Sequence, residues 1–249
     1  MFNFFAKDSA RQDNRFYLDG SDHNHIKNVL RMQPNDTFLV SQGGASHLCR
    51  LVEFASEYTV AEIVKENYQN TELPVELYLF QGLPKSDKME WIIQKTVELG
   101  VNQIVPVEMT NCVVKLEEKK KKAKQTRWQA IAEAAAKQSK RTIIPTIHEP
   151  IGYKNAIAFA QNMDIVLVPY ENARGMAATK EALAQMKNGM KVGIFIGPEG
   201  GFDPKEIDAI VEQNGKTISL GSRILRTETA AITAVSLCML HIEMNGDNQ

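Results

Sequence analysis

What most limits the fold of this chain is a series of short, uniformly apolar segments that alternate with helical patterns from residue 75 onward. The apolar runs are Glu76–Phe80, Gln103–Val107, Asp164–Pro169, Val192–Ile196 and Thr217–Leu220. Helical spacing is expected over Asp87–Leu99, Lys121–Lys140, Thr179–Lys187, Pro204–Asn214 and Glu228–Glu243. Runs such as Ile-Val-Leu-Val and Gly-Ile-Phe-Ile have no polar alternation, so both faces of each strand must be covered. That is the condition of a parallel sheet with helices on both sides. Asp203-Pro204 with Glu206 predicts a helix start with reciprocal capping, and Asp87 with Glu90 repeats the spacing.

The first seventy residues have a different texture. Short β-rich runs at Arg15–Leu18, Asp36–Val40, His47–Phe54 and Tyr58–Val64 are broken by Pro34-Asn35-Asp36 and Gly43-Gly44. One helix is expected, Asp22–Leu30. Such a pattern predicts a small β-barrel, and the polar stretch Asn67–Pro74 reads as a linker. The expected organisation is therefore a barrel domain over residues 1–70 and an α/β domain over 75–249. Lys+Arg total 29 and Asp+Glu 30, a formal net charge of −1, which excludes a uniformly basic nucleic-acid coat but not a local patch. The N-terminal residues have no signal-peptide core, and the longest informative uncharged run, Thr229–Ile242, is fourteen residues against the ~20 that a spanning helix needs. Cys49, Cys112 and Cys238 are far apart and fit free thiols. These features predict a cytoplasmic protein.

Two stretches carry chemical information. Phe195-Ile-Gly-Pro-Glu-Gly-Gly-Phe202 leaves a strand and precedes the capped helix, at the sheet edge where open α/β folds bind ligands. It has neither dinucleotide nor P-loop spacing, and Pro198 removes an N–H that a phosphate cradle would use. A nucleotide-like ligand held without a tight phosphate cradle fits better; a ligand-free turn is the plain alternative. The second stretch is Leu220-Gly-Ser-Arg-Ile-Leu-Arg-Thr-Glu-Thr-Ala230, with Arg223, Arg226 and Glu228 ahead of an apolar helix. Glu228 suits a helix N-terminus on electrostatic grounds alone. The arginines suit either surface carboxylates or an anionic substrate.

Together IGPEGGF (196–202) and LGSRILRTETA (220–230) closely resemble the C-terminal signatures of the ribosomal RNA small subunit methyltransferase E family, of the SPOUT class. The resemblance continues upstream, in order. It includes His25-Ile-Lys-Asn-Val-Leu-Arg-Met32, the block Gly82–Gly100, and Arg127-Trp128 with Ile131-Ala-Glu-Ala-Ala135, Gln138-Ser139 and Arg141. Two positions depart from the pattern: Ser222 stands where proline is usual, and Asn3 where an arginine is common, which would remove one RNA contact.

The resemblance implies a PUA-like β-barrel followed by a SPOUT-type parallel sheet with a C-terminal trefoil knot, and a homodimer. It implies S-adenosylmethionine-dependent methylation of N3 of one uridine (1498 in the usual numbering) in 16S ribosomal RNA of the small subunit. Other readings remain: another RNA site methylated by the same fold, or a non-catalytic RNA-binding assembly factor. Carried over onto this chain, the cofactor-binding residues are Val168, Pro169 and Tyr170, then Gly197, Pro198, Glu199 and Gly200, then Leu220, Gly221, Arg223, Ile224 and Leu225. Uridine N3 must lose a proton, so Arg226 is expected to stabilise the developing charge. Glu199 or Glu228 is the candidate base; Glu199 has the equal alternative of holding the loop while water or hydroxide takes the proton.

Between Lys115 and Arg127 lie seven Lys/Arg and two Glu. A solvated helix face is the ordinary reading; an RNA substrate makes Lys119, Lys122 and Arg127 candidate phosphate contacts, with Arg11, Arg15 and Arg31 on the barrel and Lys85 and Lys88 beside the sheet. The five histidines have no metal spacing with cysteines or carboxylates, so no metal is expected. The last helix is apolar nearly all round, from Ala230 through Leu240, and is expected to be buried on more than one side, including a dimer contact.

Overall fold

The β-rich segments near the N-terminus pair as one six-stranded sheet in a computed structural model that describes residues 1–246. The strands are β1 (Asn3–Phe5), β2 (Arg11–Gln12), β3 (Arg15–Asp19), β4 (Thr37–Gln42), β5 (Ala45–Phe54) and β6 (Tyr58–Gln69). Their order is β1-β4-β5-β6-β3-β2, antiparallel except for β1 beside β4. Period-two alternation turns Phe16, Leu18, Phe38, Val40, Cys49 and Leu51 inward onto Phe4 and Ile26, with Phe4 edge-on to Phe38 at 5.4 Å. The expected helix is α1 (Gly20–Asn24) followed by a π-helical turn, His25–Val29.

The short strands β1 and β2 had no counterpart among the expected runs, and two further features were not anticipated. The outer half of β6 is polar and exposed, so its run to Gln69 took in residues that read as linker. The segment Ala136–Ile144 also belongs to this unit, whose main part is Met1–Glu72. Glu72 accepts from the Arg141 guanidinium and from Thr142 N–H at 2.8 Å, which pairs an arginine that is only 2% exposed. Asn3 is buried too. Its Nδ2 donates to Arg141 O at 3.0 Å and its Oδ1 accepts from Ser41 Oγ at 3.0 Å, so it serves the interior of this unit.

The second unit comprises Leu73–Ala135 and the chain from Pro145 onward. It alternates β7 (Glu76–Gly82), α2 (Lys88–Glu98), β8 (Gln103–Glu108), α3 (Glu118–Ser139, counted with the first unit from Ala136 on), β9 (Thr146–Ile147), β10 (Ile151–Gly152), α4 (Tyr153–Ala160), β11 (Ile165–Pro169), α5 (Ala177–Leu183), β12 (Lys191–Ile196), α6 (Pro204–Val211), β13 (Lys216–Ile218) and α7 (Thr227–Gly246). Every strand pair is parallel, in the order β10-β8-β7-β12-β11-β13 with β9 beside β8. The apolar runs thus form an α/β sheet buried on both faces, with Phe80 of β7 stacked on Phe195 of β12 at 4.3 Å. Sequence reading missed β9, β10 and α4: two-residue strands have no measurable period, and α4 starts after Gly152 without a side-chain cap.

The predicted cap at Asp203 forms: its Oδ1 accepts from Lys205 N–H at 2.9 Å, and Glu206 Oε2 accepts from Asp203 N–H at 2.9 Å. Asp87 makes no side-chain cap: its backbone, at φ −88° and ψ 9°, lacks the extended geometry of a capping residue, and Glu90 pairs with Arg127 at 2.8 Å. Among the described residues, no helix is long and apolar enough to cross a membrane, and no cluster of three or more His, Cys, Asp or Glu could hold a metal. Helix α7 buries Ala231, Ala234, Val235, Cys238 and Ile242, while Leu240 and Met244 stand exposed on the single chain.

Candidate active site at the carboxyl ends of the parallel sheet

Strand β12 lies between β7 and β11, although both precede it in the chain. This reversal of strand order brings together the loops that leave β11, β12 and β13. Ligands bind open α/β sheets at such a point. A cleft of about 640 Å³ opens there, within the ~300–1,000 Å³ of small-molecule sites.

The loop after β12 is shaped by close approach. Gly201 has φ 70°, and its N–H donates to Pro198 O at 3.0 Å. A Cβ on Gly82, at the end of β7, would stand 2.7 Å from Pro198 N, and one on Gly200 would stand 2.9 Å from Asn111 Cβ. Asn111 Nδ2 donates to the carbonyls of Gly200 and Gly201 at 3.2 and 3.3 Å, holding the loop from outside.

The loop after β13 is pinned at both ends. Thr179 Oγ1 donates to Ser219 O at 2.8 Å, and Ser219 N–H donates back to Thr179 Oγ1 at 3.0 Å. At the other end, Thr227 Oγ1 donates to Gly197 O at 2.6 Å and accepts from Gln81 Nε2 at 3.0 Å. One hydroxyl thus ties the two glycine-bearing loops to each other and to β7.

Charge is concentrated at one wall. Lys88, in the first turn of α2, places Nζ 2.9 Å from Glu199 Oε1 and 3.2 Å from Glu228 Oε2. Lys85 N–H also donates to Glu199 Oε1 at 3.1 Å. Burial works against ionisation of Glu199, but the Lys88 ammonium and the backbone N–H groups of Lys85 and Glu199 itself outweigh it and hold the carboxyl below its ordinary range. The same contact with Glu199, seconded by Glu228, raises Lys88 against its own burial. Arg223 and Arg226 line the cleft as exposed side chains, joined by Arg174 from the loop after β11.

Most residues expected at a cofactor site meet here: Pro169, Tyr170, Gly197, Pro198, Glu199, Leu220, Gly221, Arg223, Ile224 and Leu225 all line the cleft. Val168 is fully buried in β11 and Gly200, an exposed residue, faces Asn111; neither lines the cleft. Glu228 approaches the cleft through Lys88, which lines it. Lys119 and Lys122 are exposed on α3, and Arg127 pairs with Glu90. In the first unit Arg15 and Arg31 are exposed, and Arg11 pairs with Glu66. Sequence reading missed Gly82, Asn111, Arg174 and Thr227. Thr227, a hydroxyl between Arg226 and Glu228, and Gly82, the first residue of the Gly82–Gly100 block, stood inside recognised signatures; Asn111 and Arg174 did not.

The chain is similar to known proteins over nearly its whole length. The RNA methyltransferase domain family matches residues 71–239. Ribosomal RNA small subunit methyltransferase E of Bacillus subtilis is 35% identical over 243 residues, 96% of this chain and 95% of that protein. The protein of the same name from Mesomycoplasma hyopneumoniae is 36% identical over 240 residues, 96% and 99% of the two chains. A crystal structure of the Neisseria gonorrhoeae protein of that name, bound to S-adenosylmethionine, superposes with a TM-score of 0.80 at 28% identity and covers 100% of both chains.

Proposed function

The chain belongs to the ribosomal RNA small subunit methyltransferase E family, and from that premise we propose that it binds S-adenosylmethionine in the three-loop cleft and methylates small-subunit ribosomal RNA. The finer reading is transfer to N3 of one uridine of 16S RNA. The observation that carries it is the meeting of two glycine-bearing loops, tied through Thr227, beside an exposed Arg226 and the Lys88 carboxylate cluster.

The residues fit that cofactor. The cleft has room for a nucleoside with an amino-acid tail, and beside its charged residues its lining includes apolar side chains such as Pro169, Ile196, Leu220 and Leu225. S-adenosylmethionine supplies, when bound, a sulfonium methyl group that is already electrophilic. The chain's own work is to align the uridine and keep water out. Arg226 stabilises the negative charge that grows on the base as N3 loses its proton. Glu199 is a poor base, because the Lys88 ammonium and backbone donors already hold its charge. We therefore assign it to holding the loop. The proton passes to the Glu228 carboxylate or to hydroxide. Glu228→Gln also removes a partner of Lys88, so pH separates the routes: the first predicts a kcat loss that persists at alkaline pH, the second a loss that hydroxide recovers as pH rises.

The wider reading follows the family. The first unit is a PUA-like RNA-holding domain, with Arg11, Arg15 and Arg31 as candidate contacts, and the second is a SPOUT domain with Lys119, Lys122 and Arg127 as further ones. After β13 at the sheet edge the chain crosses back to begin α7 against Gly197 and Gln81, a path consistent with the trefoil knot of the class. Exposed Leu240 and Met244 on α7 suit a homodimer contact; sedimentation as a monomer at micromolar concentration would remove it. The site of action is the cytoplasm, where small subunits are assembled.

The deciding experiment incubates small subunits that lack this methylation with the protein and labelled S-adenosylmethionine, then identifies the labelled nucleoside by mass spectrometry. A single 3-methyluridine is expected. Label on another nucleoside would keep the enzyme and move the target. No label despite cofactor binding would indicate a binding-only protein.

A further inference from the structure

Sequence position alone put Lys88 among the phosphate contacts; its geometry gives it other work. Its ammonium lies within 3.2 Å of two carboxylates from segments far apart in the chain, Glu199 after β12 and Glu228 in the first turn of α7. The three side chains keep part of their surface open, with relative exposures of 30% for Lys88, 25% for Glu199 and 17% for Glu228. Because both carboxylate oxygens touch one nitrogen, they stand no more than about 6 Å apart, a separation at which like charges repel strongly without a cation between them. An RNA phosphate would add a third anion to a cation already shared by two.

We propose that Lys88 is a positioning residue for methyl transfer: by bridging Glu199 and Glu228 it locks the loop after β12 to the start of α7 and so fixes Arg226, two residues before Glu228. The proposal rests on the function assigned above and names a residue through which that site is held together. Lys85 N–H adds a second tether from the α2 side to Glu199, so the segment that enters α2 acts as a clamp on the cofactor loop. Removal of the cation leaves the two carboxylates facing each other and frees the loop that forms the cleft wall.

The test compares wild type with Lys88→Met and Lys88→Arg in three measurements. These are the affinity for S-adenosylmethionine by calorimetry without RNA, kcat and KM on under-methylated small subunits, and the salt dependence of subunit binding. For Lys88→Met the expected outcome is a kcat loss on the order of 10- to 100-fold, the scale of a misplaced catalytic group, and weakened cofactor binding. KM for the subunit and the salt slope should stay unchanged. Lys88→Arg, which keeps a cation between the carboxylates, should restore much of both losses. Wild-type kcat and cofactor affinity in Lys88→Met would overturn the proposal, most plainly with a salt slope smaller by about one phosphate contact. Should Lys88→Met fail to fold, Glu199→Gln removes one arm of the bridge and must show the same kcat loss with unchanged subunit binding; wild-type behaviour there would overturn it equally. A wild-type protein that neither binds S-adenosylmethionine nor labels RNA is a different result, and it removes the function rather than the role of Lys88.

Discussion

Arg226 and Asn3 show how differently single polar residues are used. Arg226 is exposed at the cleft, where the proposed role of its guanidinium is to meet charge that develops only as uridine loses its proton. Arg226→Ala is expected to lower kcat on the order of 100-fold or more, as loss of one transition-state donor does. S-adenosylmethionine affinity, measured by calorimetry, should change little. Asn3 stands where the family pattern has arginine, yet it spends its amide on Arg141 O and Ser41 Oγ inside the first unit. A long cation could not be buried there without a partner, so this departure belongs to packing. Glu199 makes a pH prediction. Its folded-state pKa lies below the ordinary 4.5. The stability it contributes is therefore fully present above that value and is lost as pH falls through its lower folded value. In acid titrations followed by circular dichroism, Glu199→Gln should differ most from wild type near neutrality, with the gap closing toward low pH.

Among elements, α6 and α2 carry the same starting pattern with different outcomes. At α6, Asp203 and Glu206 complete the reciprocal cap, and Glu206 Oε1 also accepts from Thr110 N–H at 2.8 Å and Thr110 Oγ1 at 3.0 Å. At α2, the corresponding carboxylate, Glu90, pairs with Arg127. The spacing is shared, but Asp203 has extended backbone (φ −70°, ψ 143°) and Asp87 does not (φ −88°, ψ 9°), so only α6 completes the cap. Asp203→Ala should cost about 0.5–2 kcal/mol, read as a lower denaturation midpoint. Because α6 follows the Gly197–Phe202 loop, cofactor affinity should fall with it. The same element logic explains Gly82. Its own strand is regular, and only the passage of Pro198 within 2.7 Å of its missing Cβ makes a side chain impossible.

At the scale of the whole molecule, binding energy and stability are linked. If the cleft of the second unit holds S-adenosylmethionine in the native state alone, cofactor at 100 times its Kd adds about 2.7 kcal/mol to the stability of that unit. The expected rise in its Tm is about 5–10 °C, measurable by calorimetry; an unchanged Tm at saturating concentration would remove the cofactor assignment. The charge of the chain also needs the whole molecule to be understood. A net charge of −1 conceals the basic stretch at the start of α3, and even there Lys121 and Lys122 are matched by Glu108 and Glu149. Charge counts along the sequence thus overstate what is free to meet a phosphate.

Local physics made part of this protein legible from its residues. Unbroken apolar runs identified β7, β8, β11 and β12 as buried strands, because a strand covered on both faces has no polar side; β13, at the edge, buries only Ile218. Glycines near Gly197–Gly201 and at Gly221 marked the cleft loops, since Gly201 and Gly221 adopt positive φ. Asp203 and Glu206 announced α6. Each of these rests on interactions that span only a few residues. Tertiary structure decided the rest: that β12 slips between β7 and β11, that Ala136–Ile144 packs with the first unit, and that Lys88 meets a glutamate 111 residues away. Periodicity states which face of an element is buried but not what covers it. The partner is chosen by the free energy of packing the entire chain, so Gly82, Asn111, Thr227 and the bridge at Lys88 acquire their roles only once distant segments lie side by side.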